Sequence, residues 1–180
     1  MNTNKIFLAA TGRALARAEY KNGEWQVTTQ LENTQVNCLV SDPRQARRVY
    51  AGTQEDGVLQ SEDAGRTWQP AGMVGIPVKS LALSPANSTS TGNGNGTLLA
   101  GCKPVSLYRS QDGGGSCQEL PDLRRARKWW WFSPAEPPGW SPYVQALTIS
   151  PTDPNVVMAG IELGGVLRSE DGGLSWTATR

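Results

Sequence analysis

The chain has 180 residues, with 17 Lys and Arg against 16 Asp and Glu, and it contains no histidine. A formal net charge of +1 excludes a bulk electrostatic attraction to nucleic acid or to an acidic membrane surface. The absence of histidine excludes Ser-His and Cys-His nucleophile pairs and every imidazole-ligated metal. With 20 Gly, 12 Pro and 38% hydrophobic residues, the composition favours turn-rich β-structure over helix.

The cysteines and the N-terminal segment add further expectations. Cys38, Cys102 and Cys117 are odd in number and widely spaced, so neither a disulfide framework nor a metal site is predicted, and no cofactor is expected. The apolar stretch from Ile6 to Ala10 is too short for a signal-peptide core, and no segment approaches the length of a membrane span. We therefore expect a cytoplasmic chain with no membrane partner.

The first predicted unit is a worn copy of a repeat that becomes clear later in the chain. Trp25 follows Ala18 by seven residues, the spacing at which later copies place a tryptophan after their serine. Ala9 occupies the position of a repeated glycine. The unit has no counterpart of the first strand of the repeat.

Three later units carry the repeat in full, and each predicts four short strands, A to D. Strand A has the pattern Val-x-x-Leu-x-x-x-Pro and stops at the proline, which cannot donate a ladder hydrogen bond. Strand B ends at a glycine, strand C follows, and a serine lies nine residues after the glycine in every unit. The landmark residues are Val36, Gly52 and Ser61; Val78, Gly101 and Ser110; and Val144, Gly160 and Ser169.

A repeat of four strands in about 40 to 50 residues is typical of a β-propeller blade. The predicted fold class is all-β, a propeller of four-stranded antiparallel blades with about 3.5 to 4 blades and an incomplete ring. The blade units are residues 1–34, 35–75, 76–123 and 143–180, with an inserted loop at 121–142. Because propellers typically have about 4 to 8 blades, we expect a partial chain. Closure by two copies is the alternative, in which open sheet edges lead to self-association.

A Ser-x-Asp-x-Gly turn is predicted between strands C and D of each full unit. The aspartate accepts backbone N–H groups within the turn, the glycine supplies a positive φ, and a tryptophan plugs the hairpin. Cys117 replaces the tryptophan once, and there we expect a looser turn without a reactive thiol. The turn residues are Ser61, Asp63, Gly65 and Trp68; Ser110, Asp112 and Gly114; and Ser169, Asp171, Gly173 and Trp176.

This motif resembles the Asp-box, or BNR repeat, of sialidase-like proteins, BNR-type glycosyl hydrolases, sortilin-type receptors and photosystem II assembly factors. In those families the box lies on the rim, away from the ligand face. The resemblance therefore implies a structural role for the motif and places ligands on the side of the B–C and D–A loops. Since the repeat accompanies unrelated activities, it indicates fold rather than function.

A basic and aromatic insertion at 121–142 lies in a D–A loop, on the implied ligand face. Cationic donors beside aromatic planes suit sugars or other ligands that combine a flat apolar face with an anionic group. The alternative is that these aromatics cover the blades or pack on another part of the protein. The predicted ligand-binding residues are Arg124, Arg125, Lys128, Trp129, Trp130, Trp131 and Lys103, the last from a B–C loop.

The candidate catalytic acid is Glu162, which directly follows a strand B. With Glu55 or Asp56 it could form the carboxylate pair of a glycoside hydrolase, and the alternative is a solvated loop acid. The Arg-Ile-Pro signature of sialidases is absent, because Gly75 precedes the one Ile-Pro pair.

The sequence favours a non-catalytic propeller scaffold or a module that binds a carbohydrate or protein ligand. A sialidase-like glycosidase whose site is shared with missing blades is the first alternative. An assembly factor that docks a protein partner is the second. Nucleic acid is not an expected partner.

Overall fold

The computed structural model describes residues 5–84, 96–120, 123, 141–162 and 164–179. These residues form fifteen β-strands in four separate antiparallel sheets, one with three strands and three with four. The predicted all-β architecture is confirmed. In each sheet the strands lie side by side in chain order, so that successive strands are joined as hairpins.

The strands of each sheet come from one continuous stretch of chain. The first sheet contains β1 (Ile6–Ala10), β2 (Leu15–Lys21) and β3 (Glu24–Gln30). The second contains β4 (Val36–Ser41), β5 (Val49–Thr53), β6 (Val58–Ser61) and β7 (Gln69–Pro70). The third contains β8 (Val78–Ser84), β9 (Thr97–Cys102), β10 (Ser106–Ser110) and β11 (Gln118–Glu119). The fourth contains β12 (Val144–Ile149), β13 (Val157–Ile161), β14 (Gly165–Ser169) and β15 (Thr177–Ala178).

The sheets stack face to face, and the middle ones are buried on both faces. Tyr50 and Ala51 are neighbours in β5 and therefore point to opposite sides of the second sheet. Ala51 belongs to a core with Leu15 of the first sheet, whereas Tyr50 belongs to a core with Leu81 of the third. A further core joins the third and fourth sheets around Val144. The first strands meet on the inside of the stack, where β8 contacts both β4 and β12.

The three Ser-Asp-Gly turns connect β6 to β7, β10 to β11 and β14 to β15, as predicted. In the first of them the Ser61 hydroxyl accepts the Gly65 N–H at 2.8 Å and donates to Asp63 Oδ1 at 2.9 Å. Asp63 Oδ1 also accepts the backbone N–H groups of Arg66 and Thr67, both at 2.9 Å. Burial opposes ionisation, but these hydrogen bonds hold the pKa of Asp63 at about 2. The turn is therefore built around an ionised carboxylate.

The turn that carries Cys117 keeps the hydrogen bonds made by its serines. The Gly114 N–H lies 2.7 Å from Ser110 Oγ, and the Ser116 N–H lies 2.9 Å from Asp112 Oδ1. These lengths match those of the other two turns, but the bond made by the tryptophan differs: Trp68 and Trp176 donate to a glycine carbonyl at 3.2 and 3.0 Å, whereas Cys117 Sγ lies 3.9 Å from Gly114 O. The expected loosening is confined to that contact. Burial raises the pKa of the Cys117 thiol, which agrees with the expectation that it is unreactive.

The first sheet has a different turn, and the expected role of Trp25 is wrong. Asn22 and Gly23 join β2 to β3 with φ values of 53° and 89°, as in a two-residue hairpin turn of type I′. Trp25 lies in β3, is 50% exposed, and packs edge-on against Tyr20 with ring centroids 5.4 Å apart. It plugs no hairpin. The Asn-Gly pair was the sequence signal for this turn.

Hydrogen bonds between loops define two faces of the stack. The Ser-Asp-Gly turns bond to the loops between first and second strands, through Ala64 N–H to Arg47 O and Gly172 N–H to Asn155 O, both at 2.8 Å. On the opposite side the Gly75 N–H, after β7, donates to Glu55 O, after β5, at 2.7 Å. The predicted division of the loops is therefore correct in the sheets where these contacts are described.

A buried ion cluster joins the first two sheets. Arg17 donates from Nη1 to Glu19 at 2.9 Å and from Nε to the carbonyl of Ala64 in the second sheet at 2.9 Å. Arg66 and Lys21 lie 3.0 and 3.1 Å from the same carboxylate. Hydrogen bonding from Arg17 first, and from Lys21 and Arg66 next, lowers the pKa of Glu19 to about 2 against the opposing effect of burial.

The glycine that marks strand B has a packing reason in two of the three sheets. A Cβ on Gly52 would lie 2.6 Å from Val78 Cγ1, and one on Gly101 would lie 2.6 Å from Val144 Cβ. Each valine begins the first strand of the following sheet. At Gly160 the nearest atom, Ala146 Cβ, is 3.6 Å away, which is an ordinary contact.

Candidate functional site

Three sheets have the same backbone arrangement where the first strand begins and the second ends. The residue after each second strand donates its N–H to the residue before each first strand, at 2.9 to 3.0 Å. The pairs are Gln54 with Gln35, Lys103 with Pro77, and Glu162 with Tyr143. One residue into each first strand the register shifts, at Asn37, Lys79 and Gln145. Polar side chains from three sheets thus collect on the face opposite the Ser-Asp-Gly turns.

Six of these residues form what we call the strand-end cluster: Asn37, Gln54, Lys79, Lys103, Tyr143 and Glu162. Lys79 Nζ donates to Gln54 Oε1 at 2.7 Å. Asn37 Nδ2 donates to the carbonyl of Val78 at 2.9 Å and lies 3.5 Å from Gln54 Oε1. These bonds connect the second sheet to the third and hold the Lys79 side chain in place.

Two ammonium groups lie near the ring of Tyr143. Lys79 Nζ and Lys103 Nζ are each 5.8 Å from the ring centroid, within the range of a cation–π contact. Burial, and then the charge of Lys103, lowers the pKa of Lys79. Two like charges held around one ring favour the binding of an anion, because an anion relieves their repulsion.

The Glu162 carboxylate lies next to the Tyr143 hydroxyl. Burial, followed by the charge of Glu162 and a hydrogen bond to it, raises the pKa of the Tyr143 hydroxyl. Among the described residues Glu162 Oε2 is buried and has no hydrogen-bond partner. Buried polar atoms are nearly always paired, so this oxygen is an acceptor available to a bound group.

The cluster contains two of the residues predicted from the sequence. Lys103 and Glu162 belong to it. Glu55 and Asp56 are exposed in the loop between β5 and β6, and no described hydrogen bond or ion pair joins them to Glu162. The predicted residues of the insertion lie outside the described residues: Arg124, Arg125, Lys128, Trp129, Trp130 and Trp131.

Sequence reasoning missed Asn37 and Lys79, and it placed Gln54 in a loop of the ligand face without a binding role. Asn37 and Lys79 each follow the valine that opens strand A, and Gln54 and Lys103 hold the same position after strand B. That shared position in the repeat was a usable signal. Tyr143 could not be assigned a role, because a neighbour of Glu162 across the sheet becomes visible only once β12 pairs with β13.

Two other kinds of site can be checked within the described ranges. There, no three His, Cys, Asp or Glu side chains are grouped so as to hold a metal ion. In the same part of the chain no helix has the length and apolar character needed to cross a membrane. Burial raises the pKa of Cys38 and Cys102 to about 12, which makes both thiols poor nucleophiles.

Solved structures with the same arrangement of sheets identify the architecture. An ancestral GH74 enzyme superposes with a TM-score of 0.67 at 19% identity, over 99% of this chain and 23% of its own. The GH74 xyloglucanase of Xanthomonas campestris gives 0.59 at 17% identity, over 96% and 27%. YCF48 bound to a D1 peptide gives 0.54 at 17% identity, over 81% and 40%. The fold is a β-propeller.

These comparisons establish the fold but not an activity, because the sequence identities are below 20%. The chain spans about a quarter of the length of the two GH74 structures and 40% of the YCF48 structure. A scan against protein-family models finds no match, and neither does a search of curated proteins. Each four-stranded sheet is one blade of the propeller. The strand-end cluster lies where the first strands of three blades begin and the second strands of those blades end.

Proposed function

We propose that this propeller is a non-catalytic module that binds a ligand at the strand-end cluster. The observation that supports it most directly is the pair of ammonium groups, both 5.8 Å from the Tyr143 ring, beside a buried Glu162 oxygen without a described partner. A buried oxygen without a partner is costly in a folded protein, and a ligand that donates to it regains that cost.

The chemistry of the cluster favours binding over hydrolysis. A glycoside hydrolase uses two carboxyl groups on either side of the scissile bond. The strand-end cluster has one carboxylate, Glu162, and the acids nearest in the repeat, Glu55 and Asp56, are exposed in a neighbouring loop. A second carboxyl group would have to come from that loop or from residues outside the cluster.

The Ser-Asp-Gly turns support the assignment to the Asp-box group of propellers. Three turns share the same serine-to-aspartate and glycine-to-serine hydrogen bonds, at 2.8 to 2.9 Å and 2.7 to 2.8 Å. They lie on the face opposite the cluster and hold ionised carboxylates that accept backbone N–H and side-chain hydroxyl groups of their own turns. Their role in this proposal is to close the blades.

A glycosidase remains the second candidate, because the neighbours include GH74 enzymes and Glu162 lies on the proposed ligand face. Docking of a protein partner is the third, since one neighbour is bound to a peptide. The experiment that separates them combines glycan and peptide arrays with an aryl-glycoside hydrolysis assay.

We expect wild-type protein to bind one class of array and to leave aryl glycosides intact. Lys103→Met should weaken binding, and Lys5→Met, which removes an exposed lysine just before β1, should not. Hydrolysis that is lost in Glu162→Gln would establish the glycosidase instead. Binding that survives Lys103→Met and Tyr143→Ala together would place the ligand elsewhere on the molecule.

A further inference from the structure

We infer that the strand-end cluster binds an acidic sugar, a unit with one carboxylate and a neighbouring free hydroxyl, such as the uronate at the non-reducing end of an oligosaccharide. This inference rests on the proposed ligand-binding function and names the chemical class of the ligand. Three observations support it: the net charge of the cluster, the Glu162 oxygen without a described partner, and the backbone N–H groups that are already bonded within the protein.

The charge of the cluster selects a monoanion. Lys79 and Lys103 contribute two positive charges and Glu162 one negative charge, which leaves one positive charge to be neutralised. Lys79 donates one of its three N–H groups to Gln54, at 2.7 Å, and two remain for a ligand oxygen. A single carboxylate between the two ammonium groups satisfies them without leaving an excess of negative charge beside Glu162.

The unpaired oxygen of Glu162 requires a donor next to that carboxylate. A carboxylate or sulfate by itself brings acceptors only, so it would leave Glu162 Oε2 unpaired and add repulsion. In the uronate at the non-reducing end of a 1→4-linked oligosaccharide, the ring carbon beside the one that bears the carboxylate carries a free hydroxyl. That hydroxyl can donate to Glu162 while the carboxylate accepts from the two lysines.

The backbone at the cluster favours a sugar over an extended peptide. Peptides that bind along a sheet do so through main-chain hydrogen bonds. Here the N–H groups of Gln54, Lys103 and Glu162 are all donated to carbonyls of the protein itself, at 2.9 to 3.0 Å. The cluster therefore offers side-chain groups and one aromatic ring, which is the usual equipment for recognising a sugar.

The test is calorimetric titration of the intact chain with trigalacturonate and with its methyl ester, which keeps the ring hydroxyls and removes the charge. We expect the acid to bind roughly tenfold or more tightly than the ester, the difference expected for a charge-assisted hydrogen bond. Lys79→Met and Lys103→Met should each remove most of that difference. Glu162→Ala should weaken the ester, because it removes the acceptor of the ring hydroxyl, and should raise the acid-to-ester ratio, because it also removes the negative charge beside the bound carboxylate. Lys5→Met is the matched control and should bind like wild type.

The outcomes separate this inference from the proposed function. Equal binding of acid and ester would overturn the acidic-sugar inference and leave a neutral-glycan module standing. Binding of a peptide with a free carboxyl terminus, but of neither sugar, would overturn it in favour of peptide docking. If a lysine variant fails to fold by circular dichroism, the acid-to-ester ratio of wild type and its decrease with added salt still decide the question.

Discussion

Gly101→Ala is expected to destabilise the protein, whereas Gly160→Ala, at the same position of the next blade, is not. The new methyl group at 101 would lie 2.6 Å from Val144 Cβ and 2.5 Å from Ser80 Oγ. Neither neighbour can yield easily, because Val144 is fully buried and Ser80 Oγ donates to the Val144 carbonyl at 2.8 Å. Overpacking of a core of this kind costs about 1–3 kcal/mol.

At Gly160 the same substitution is expected to increase the free energy of unfolding. The methyl group would meet Ala146 Cβ at 3.6 Å, an ordinary van der Waals distance. Gly160 has no positive φ, so alanine adopts its backbone conformation without strain. Replacing glycine by alanine then stabilises by about 0.4–1 kcal/mol, because the unfolded chain loses conformational freedom.

The measurement is urea unfolding followed by tryptophan fluorescence, with all variants at one low protein concentration. The two variants should differ by about 1.4–4 kcal/mol in free energy of unfolding, from the sum of the two effects. Gly52→Ala, whose methyl group would lie 2.6 Å from Val78 Cγ1, should behave like Gly101→Ala. If Gly101→Ala unfolds at the wild-type urea concentration, or if Gly160→Ala is equally destabilised, the packing explanation of the repeated glycine fails.

Three further predictions concern the turns, the loss of stability at low pH, and the reactivity of the thiols. Asp171→Asn should lower the free energy of unfolding by about 1 kcal/mol, since the ionised acceptor of the turn becomes a neutral one; a wild-type urea midpoint would contradict this. The pKa values of Glu19 and the three turn aspartates are about 2 when folded, below ordinary values of 4.5 and 3.8, so their stabilisation is complete above those values and is lost as pH falls from about 4.5 toward 2. Thermal unfolding across that range should show it, and a flat profile would refute it. Burial raises the pKa of Cys38 and Cys102 to about 12, so both thiols should react with a disulfide reagent at pH 8 far more slowly in native than in urea-unfolded protein; equal rates would show that they are exposed.

The repeat in the sequence was sufficient for the blades because its signals are local. The Val-x-x-Leu pattern, the proline that follows it and the Ser-x-Asp-x-Gly turn each act within a few residues, and β4, β8 and β12 all begin at the valine named by the pattern. The first sheet shows the limit of such matching. Trp25 had the expected spacing, but the adjacent Asn-Gly pair closes the hairpin two residues earlier and leaves the tryptophan half exposed.

The candidate site was only partly accessible to the same reasoning. Glu162 and Lys103 could be chosen because they follow predicted strands, but a carboxylate partner for Glu162 was sought in Glu55 and Asp56, from another blade's loop. The structure instead places Tyr143, which directly precedes β12, next to Glu162, which directly follows the paired strand β13. Lys79 was missed, because a lysine in a strand gives no sign of which neighbour its long side chain reaches.

Periodic valines, glycines and turn motifs were enough to establish the strands, their order and the face on which each loop emerges, since these follow from hydrogen-bonding patterns between residues close together in the chain. The packing of one blade on the next lies beyond that range. It explains why Gly101 must remain a glycine while Gly160 need not, and it brings Lys79, Lys103, Tyr143 and Glu162 together from two blades. Such contacts depend on distances between side chains far apart in sequence, and those distances are set only when the sheets stack.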